Sequence, residues 1–441
     1  MLCVNAFSDA SVRPAGRGGS EMNVRNALYA QSGGVTPVIN VTAAALIETA
    51  RQQPQAIGKV YAARNGIVGV LREQLYDTSC LQDADLQRLK QTPGGIFGSC
   101  RFKLGDFNSH QAQYERLMEV LKAHEIGYFF YNGGGDSADT ALKVSQLGEK
   151  TGYPVTCIAV PKTIDNDLPV TDNSPGFASA AKYVAVSTLE ASLDVAAMAE
   201  SSTRVFIFEV MGRHTGWLAA SSMVVRQQSG DPPHVILMPE RRFDETAFLR
   251  KVKQVVDRVG YCTVVASEGI RDTDGQFLSE QPMLDAFGHP QLGGVAPVLA
   301  RMVREKLGLK NHWAVADYLQ RSARHIASSV DVDQATAVGR AAVELALAGH
   351  NAVMPVIRRL EGAPYRWEIG HAPLAQIANV EQPVPDAFIS DDGMDVTETA
   401  REYFLPLIEG EAYPDYEQGL PRYLRLDCPL VPRRLPEYDQ D

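Results

Sequence analysis

The 441-residue chain has only six cysteines and three tryptophans, and it has no Cys-x-x-Cys pair. Cys3, Cys80, Cys100, Cys157, Cys262 and Cys428 lie far apart. That usage reads as free thiols in a cytoplasmic protein and excludes a disulfide scaffold or a zinc ribbon. No window approaches the ~18 apolar residues of a membrane span, and the N-terminus lacks the apolar core of a signal peptide. Positive charge is in deficit: 42 Lys and Arg against 53 Asp and Glu give a formal net charge of -11. A surface of that sign repels polyanions, so neither nucleic acid nor an anionic membrane is an expected partner. What remains, 45% hydrophobic and 22% charged residues, is ordinary globular composition. Collagen, mucin and long coiled coil are excluded, and the length favours two domains or one enlarged α/β unit over a small module.

Residues 1–21 mix Ser, Gly and Arg without periodicity and read as a disordered tail. Met22 stands just before the first apolar run, so a translation start there is the sharper alternative; an intact mass that includes residues 1–21 would reject it. Beyond the tail, strands are expected at 27–30, 127–131, 155–160, 205–210, 234–238 and 261–266. Helices are expected at 38–51, 111–124, 137–147, 178–198, 245–259, 294–305 and 335–348. The alternation predicts an α/β fold with mostly parallel sheets covered by helices, in which ligands sit beyond the carboxyl ends of strands. The Pro-, Tyr- and acid-rich region after Leu360 reads as irregular structure wrapping a domain.

Four segments follow strand candidates. Gln31 to Asn40 holds the Gly33-Gly34 turn before a helix, either a phosphate-binding turn or a plain one. Asn132-Gly133-Gly134-Gly135-Asp136-Ser137 opens the next helix; Asp136 and Ser137 suit a site or a cap, and the two roles are compatible. Pro161 to Pro169 is the strongest signal. If it continues extended, Thr163, Asp165 and Asp167 share one side, with one carboxylate free to take a proton and the other to hold a cation while Lys162 faces a phosphoryl group. Its bland reading is a solvated turn. The fourth, Glu209 to Trp217, offers Arg213 as an anion fork, with His214 favoured as a core histidine.

In order and spacing these segments resemble the 6-phosphofructokinase family from about Tyr29 to Ala348, roughly three quarters of the chain. The resemblance implies two Rossmann-like domains with the active site in the cleft between them. A phosphoryl-donor domain would span residues 22–176 plus about 320–375, and a sugar-phosphate domain about 177–319 plus 376–441. It implies Asp165 as the base for the sugar 1-hydroxyl, Thr163 on a phosphate, and Asp167 on Mg2+. Gly34 and Ser137 would line the donor side, and Arg101 would stabilise the transferring phosphoryl group. Met211, Gly212 and Arg213 match the sugar segment, and Glu240 the glutamate that binds sugar hydroxyls. Tyr318 and Arg321 match a late sugar-phosphate motif, with either Lys310 or His312 for the 6-phosphate. Arg204 would reach that phosphate from a neighbouring subunit, implying a homodimer or homotetramer. Phe287 to Gly294 resembles a segment of the pyrophosphate-using branch.

Where ATP-using relatives have an aspartate then a glycine, this chain has Gly135 then Asp136, and Lys162 replaces a glycine. Asp136 would repel the α-phosphate end of a nucleotide and Lys162 would neutralise pyrophosphate, so pyrophosphate is the expected donor and fructose 6-phosphate the acceptor. Gly135 removes a metal carboxylate, leaving Asp167, with Asp136 as a second candidate. Ala44 and Glu48 stand where allosteric members have arginines, so effector control is not expected. The alternatives are an ATP-dependent kinase, a kinase for sedoheptulose 7-phosphate, and a non-catalytic sugar-phosphate sensor. A nicotinamide-dependent dehydrogenase is excluded, since no G-x-G-x-x-G follows the first strand.

Overall fold

The computed structural model describes residues 24–102, 104, 105, 107, 110–284, 290–292 and 294–438. The expected tail at 1–21 and the alternative start at Met22 lie outside the described residues, as do Phe287, Gly288, His289 and Gly293 of the Phe287 to Gly294 segment. The strands are β1 Arg25–Gln31, β2 Ile57–Ala63, β3 Leu75–Asp77, β4 Ile126–Gly133, β5 Thr156–Pro161, β6 Val205–Val210, β7 Val235–Leu237, β8 Cys262–Ser267, β9 Glu280–Leu284, β10 Pro290–Leu292, β11 Asn311–Val315, β12 Val353–Leu360 and β13 Arg366–Pro373. Between them run α1 Ile39–Arg51, α2 Gly66–Leu71, α3 Asp83–Lys90, α4 Gln111–Ala123, α5 Gly135–Lys150, α6 Phe177–Met198, α7 Trp217–Ser221, α8 Glu245–Val259, α9 Val295–Leu307, α10 Leu319–Ser322 and α11 Ser329–Leu347, with α12 Glu398–Phe404 after the last of these strands.

Two sheets organise the chain. The first has the order β13-β12-β5-β4-β1-β2-β3 and is parallel except at its two edges, β3 and β13. Its strands are apolar on both faces because both are covered: along β1, Ala27 and Tyr29 enter one core while Leu28 and Ala30 enter the other. The second, β11-β6-β8-β7, is wholly parallel and sorts its residues likewise, with Val205 and Ile207 on one face and Phe208 and Val210 on the other. In the first sheet the chain leaves β1 toward β2 and returns to β4 on the other side; in the second, β8 and β11 flank β6. The connections after β1 and β6 therefore diverge from those of their neighbours, leaving crevices at the carboxyl ends where ligands bind.

Three expectations need correction. Residues after Leu360 are not all irregular: β13 pairs antiparallel with β12 over eight residues, an edge strand disguised by Arg366 and Glu368 on its exposed face. The end of the chain, expected on the sugar-phosphate side, packs on the first sheet. Leu424 N donates to Thr92 Oγ1 at 2.8 Å, Val431 N to the Leu75 carbonyl at 2.8 Å, and Arg434 N to the buried Glu73 at 2.6 Å. That return also joins Cys80 to Cys428 in a disulfide across 348 residues, leaving Cys100, Cys157 and Cys262 as free thiols. Sequence spacing carries no sign of so distant a pair, and cysteine usage no longer argues for a reducing compartment. Among the described residues no helix is long and apolar enough to cross a membrane.

Val170, three residues beyond Asp167, adopts φ 65° although it is β-branched and 51% exposed. Its side chain gains little from burial, and the left-handed region costs a non-glycine residue ~1–2 kcal/mol. Replacing it with glycine relieves that strain against an entropic cost of roughly 0.5–1 kcal/mol. Val170→Gly is expected to raise unfolding stability by up to about 1 kcal/mol in chemical denaturation; a loss of stability would show that the valine makes contacts worth more than the strain.

Candidate active site

A cleft of about 630 Å³ opens between the two sheets. The turn after β1 forms one wall: Gly33 N donates to the Cys100 carbonyl at 2.9 Å, and Ser99 Oγ donates to the Gly33 carbonyl at 2.7 Å. These bonds hold the segment carrying Arg101 against the glycine turn. Lys162, immediately after β5, donates from Nζ to the Gly34 carbonyl at 2.7 Å. Arg321, from the far side of the cleft, also reaches this turn: a Cβ on Gly34 would lie 2.9 Å from its Nη1. Arg321 stacks over the Tyr318 ring at 3.9 Å. Glycine at position 34 thus gives room for a cation as well as for backbone approach.

The Pro161 to Pro169 segment does not continue as a strand; Asn166 has φ 54°, which breaks the period of two. The same side chains converge by a local turn instead. Asp165 N donates to Thr163 Oγ1 at 3.0 Å, and the Thr163 hydroxyl bonds the Asp167 carboxylate. Burial pushes the Asp165 carboxyl up to about 7, with the charges of Asp167 and Glu268 adding to the rise and Lys162 opposing it. Asp167 is raised by burial as well, with the Glu381 charge contributing. Burial pushes the Lys162 ammonium down to about 8; Asp165 and Asp167 oppose this, and Arg101 and Arg321 reinforce it. Two half-buried carboxylates and a buried ammonium with perturbed affinities for protons are what proton transfer beside a phosphate requires.

The opposite wall follows β6 and β8. Gly212 has φ 140°, and a Cβ there would run into the Thr215 carbonyl and lie 2.7 Å from Ser267 Oγ, so only glycine permits this turn. Met211 and Arg213 line the cleft beside it, and Gly212 N donates to Glu268 Oε1 at 3.4 Å.

Of the residues read from sequence, Gly34, Arg101, Lys162, Thr163, Asp165, Met211, Arg213, Tyr318 and Arg321 line one cavity. Asp167 and Gly212 do not line it, but Asp167 bonds the lining Thr163 and Gly212 stands between the lining Met211 and Arg213. Asp136 and Ser137 do not line it: Asp136 is exposed in the first turn of α5, Ser137 is buried behind Gly133, and the N-cap is Gly134, so neither is the cap. Glu240 does not line it either; its Oε1 accepts from Gly216 N at 3.0 Å and Val384 N at 2.9 Å, while Oε2 is buried without a hydrogen bond. Arg204, Lys310 and His312 stand at the amino ends of β6 and β11, about 20 Å of strand from Met211. There Arg204 donates to the Gly260 carbonyl at 3.1 Å and Lys310 to Ser202 Oγ at 3.0 Å. His214 is not a core histidine: it is partly exposed and bonds Glu381 at 2.8 Å.

Sequence reasoning missed Glu209, Glu268, Gly294, Val315 and Asp317, which also line the cleft. Glu268 directly follows β8, and that strand-end position was the signal that found the other motifs. Glu209 accepts from Gly294 N at 3.0 Å and Ala296 N at 2.8 Å, fixing the start of α9 at the cleft edge. The cleft is therefore not simply cationic: Arg101, Lys162, Arg213 and Arg321 face Asp165, Glu209, Glu268 and Asp317.

Glycine turns and fixed cations on one wall, half-buried carboxylates at the centre and a polar pocket on the other wall define a cleft suited to phosphoryl transfer onto a polyhydroxylated acceptor. Residues 26–346 match the family model described as phosphofructokinase, and the chain belongs to that family. It is 58% identical over 417 residues, 95% of this chain and 100% of the relative, to "Pyrophosphate--fructose 6-phosphate 1-phosphotransferase" of Halomonas elongata. With a protein of that name from Xanthomonas campestris it shares 59% over 416 residues, 94% of this chain and 99% of the relative. The crystal structure of a pyrophosphate-dependent phosphofructokinase from Nitrosospira multiformis, 56% identical, superposes with a TM-score of 0.88 over 95% of this chain and all of that one.

Proposed function

We propose that this chain transfers a phosphoryl group from pyrophosphate to the 1-hydroxyl of fructose 6-phosphate, giving fructose 1,6-bisphosphate and phosphate. The observation that carries the reading is Lys162, a buried ammonium held 2.7 Å from the Gly34 carbonyl at the donor wall, in the same cleft as the half-buried Asp165. Near full-length identity to relatives of that name supports it. Asp165 takes the proton of the 1-hydroxyl as its oxygen bonds to phosphorus, and the bond from that phosphorus to the bridging oxygen breaks, releasing phosphate. Arg101 and Lys162 meet the charge on the phosphoryl and leaving groups. Pyrophosphate and the sugar phosphate ester lie close in energy, so the reaction runs both ways.

The donor set fits Mg2+. Asp165 and Asp167 stand together half-buried, and the Asp167 charge raises the proton affinity of Asp165, a repulsion a cation relieves. Among the described residues no group of three or more His, Cys, Asp or Glu could hold a metal alone, and Mg2+ characteristically takes one or two carboxylates plus substrate phosphates. Asp167 is the proposed carboxylate; the exposed Asp136 leaves the set. The ion would supply charge neutralisation between the two phosphoryl groups.

On the acceptor side Glu268 replaces Glu240 as the residue for the sugar hydroxyls, beside Met211 and Arg213. Glu268→Gln is expected to raise KM for fructose 6-phosphate by about tenfold or more, the scale of a hydrogen bond to a charged group, with KM for pyrophosphate little changed. If Glu240→Gln alone produces that pattern, the assignment returns to Glu240. Arg204, remote from its own cleft, serves a second subunit's sugar phosphate in a homodimer or homotetramer. Leu193 on α6 and Trp313 on β11 are exposed apolar side chains available to such a contact. Light scattering at the mass of a single chain would contradict this. Effector control is absent from the proposal, since Ala44 is buried and Glu48 is paired with Lys90 at 2.8 Å; ADP or phosphoenolpyruvate should leave the sugar-phosphate saturation curve unshifted.

Phosphorus NMR of the protein with pyrophosphate, fructose 6-phosphate and Mg2+ tests the reading. Fructose 1,6-bisphosphate and phosphate should grow in equal amounts, and adding both products should regenerate pyrophosphate. Hydrolysis of pyrophosphate with the sugar unchanged, or no reaction, would contradict it.

A further inference from the structure

The segment after β13 crosses between the two sheets. The carbonyls of Ile377 and Val380 and the N of Asn379 stand 3.8 to 3.9 Å from where a Cβ on Gly135 would be, against the start of α5. Asn379, itself at φ 59°, donates from Nδ2 to Asp139 Oδ1 at 3.2 Å, one helical turn further on. Gln382 N donates to the Asp167 carbonyl at 2.7 Å, and the Trp217 indole N–H donates to the Gln382 carbonyl at 2.9 Å. Glu381 holds His214, and Val384 N ends the run on Glu240 at 2.9 Å. The strap is thus pinned to α5, to the carboxylate loop and to the elements after β6 and β7.

This route covers a place of chemical consequence. The Gly133-Gly134-Gly135 turn opens α5 with a glycine N-cap and no side-chain cap, a geometry that would carry the phosphate and sugar of a nucleotide. It adjoins Lys162, whose N donates to the Gly133 carbonyl at 3.2 Å. Yet the cleft stops at Gly34 and Lys162; none of Gly133, Gly134, Gly135 or Asp136 lines it, and its 630 Å³ must hold a sugar phosphate as well as the donor. A ligand growing from Lys162 along the start of α5 meets the strap's main chain.

We propose that Ile377 to Val384 is the end wall of the donor site, admitting a diphosphate and excluding the nucleoside of a nucleotide. The inference rests on the functional reading above and adds a steric determinant of donor choice independent of Asp136 and Lys162. Because the contacts at Gly135 are made by main-chain atoms, exclusion depends on the strap's path more than on its side chains.

The test is calorimetric titration of ADP and of pyrophosphate into the full-length protein and two variants. In one, Ala378 to Val380 are replaced by a single glycine; in the other, Asn379→Gly and Val380→Gly free the strap from Asp139 while keeping its length. The shortened variant is expected to gain about tenfold or more in ADP affinity, and the glycine pair a smaller gain in the same direction, with pyrophosphate affinity within about threefold throughout. A shortened variant that still binds pyrophosphate but gains nothing for ADP overturns the proposal. If shortening prevents folding, the glycine pair decides, and no gain there overturns it equally. Wild-type protein that already binds ADP as tightly as pyrophosphate overturns it too. Wild-type turnover with ATP at the pyrophosphate rate would instead contradict the functional reading.

Discussion

Asp165→Asn is expected to lower kcat by roughly 10²–10⁴-fold, the range general-base catalysis supplies, while KM for both substrates changes little. The substitution keeps the size and the backbone bond to Thr163 Oγ1 and removes only the ability to accept the hydroxyl proton. Asp165 is well placed for that proton because burial and the neighbouring Asp167 and Glu268 raise its proton affinity toward neutrality, whereas an ordinary carboxylate would be a weaker base. Steady-state kinetics in both directions checks it. Since proton uptake forward is proton donation in reverse, both directions should fall together. A variant that retains more than about a tenth of wild-type kcat would remove Asp165 from the role of base.

Lys162→Met is expected to act on the donor. It preserves the length and apolar stem and deletes the charge at Gly34, costing about 10²–10³ in kcat/KM for pyrophosphate by the scale of a preorganised charge removed from a closed site. The loss at the sugar should be far smaller. The free enzyme carries a second sign of the same group: burial has lowered its pKa to about 8. Lys162 is charged below that value and neutral above it, so kcat/KM for pyrophosphate should decline as pH rises through about 8, and this alkaline limb should vanish in Lys162→Met. A limb unchanged in the variant would assign it to another group.

Much of this arrangement was legible in sequence because strand-end motifs are local. All six expected strands form, and nine of the residues expected at the site meet in one cleft. What was hidden depends on contacts between distant segments. Asp165 and Asp167 converge through a turn at Asn166 rather than through strand alternation, so a period-two argument brought these side chains together for the wrong local reason. Glu268, which lines the cleft, carries no motif beyond its place after β8, whereas Glu240, after β7, matched a family segment and does not line the cleft. β13 escaped notice because an edge strand with Arg366 and Glu368 outward lacks the apolar run of a central strand. The Cys80–Cys428 pair and the strap at Ile377 to Val384 join regions hundreds of residues apart, which only the folded chain brings together.

The net charge of -11 does not carry over to the cleft. The cleft instead sets four cations against four carboxylates. Affinity for a small polyanion then depends on where each charge stands: Lys162, Arg101 and Arg321 gather at the glycine turn, whereas Glu268 stands at the Gly212 turn. At physiological salt, with a Debye length of ~8 Å, such local order outweighs the distant surface.

Initial rates with pyrophosphate and with ATP, at saturating fructose 6-phosphate and Mg2+, test the central claim most directly. The arrangement at Gly34 and Lys162 predicts turnover with pyrophosphate at least about a hundredfold faster than with ATP, a difference of ~2.7 kcal/mol in barrier. Equal rates, or a preference for ATP, would contradict it.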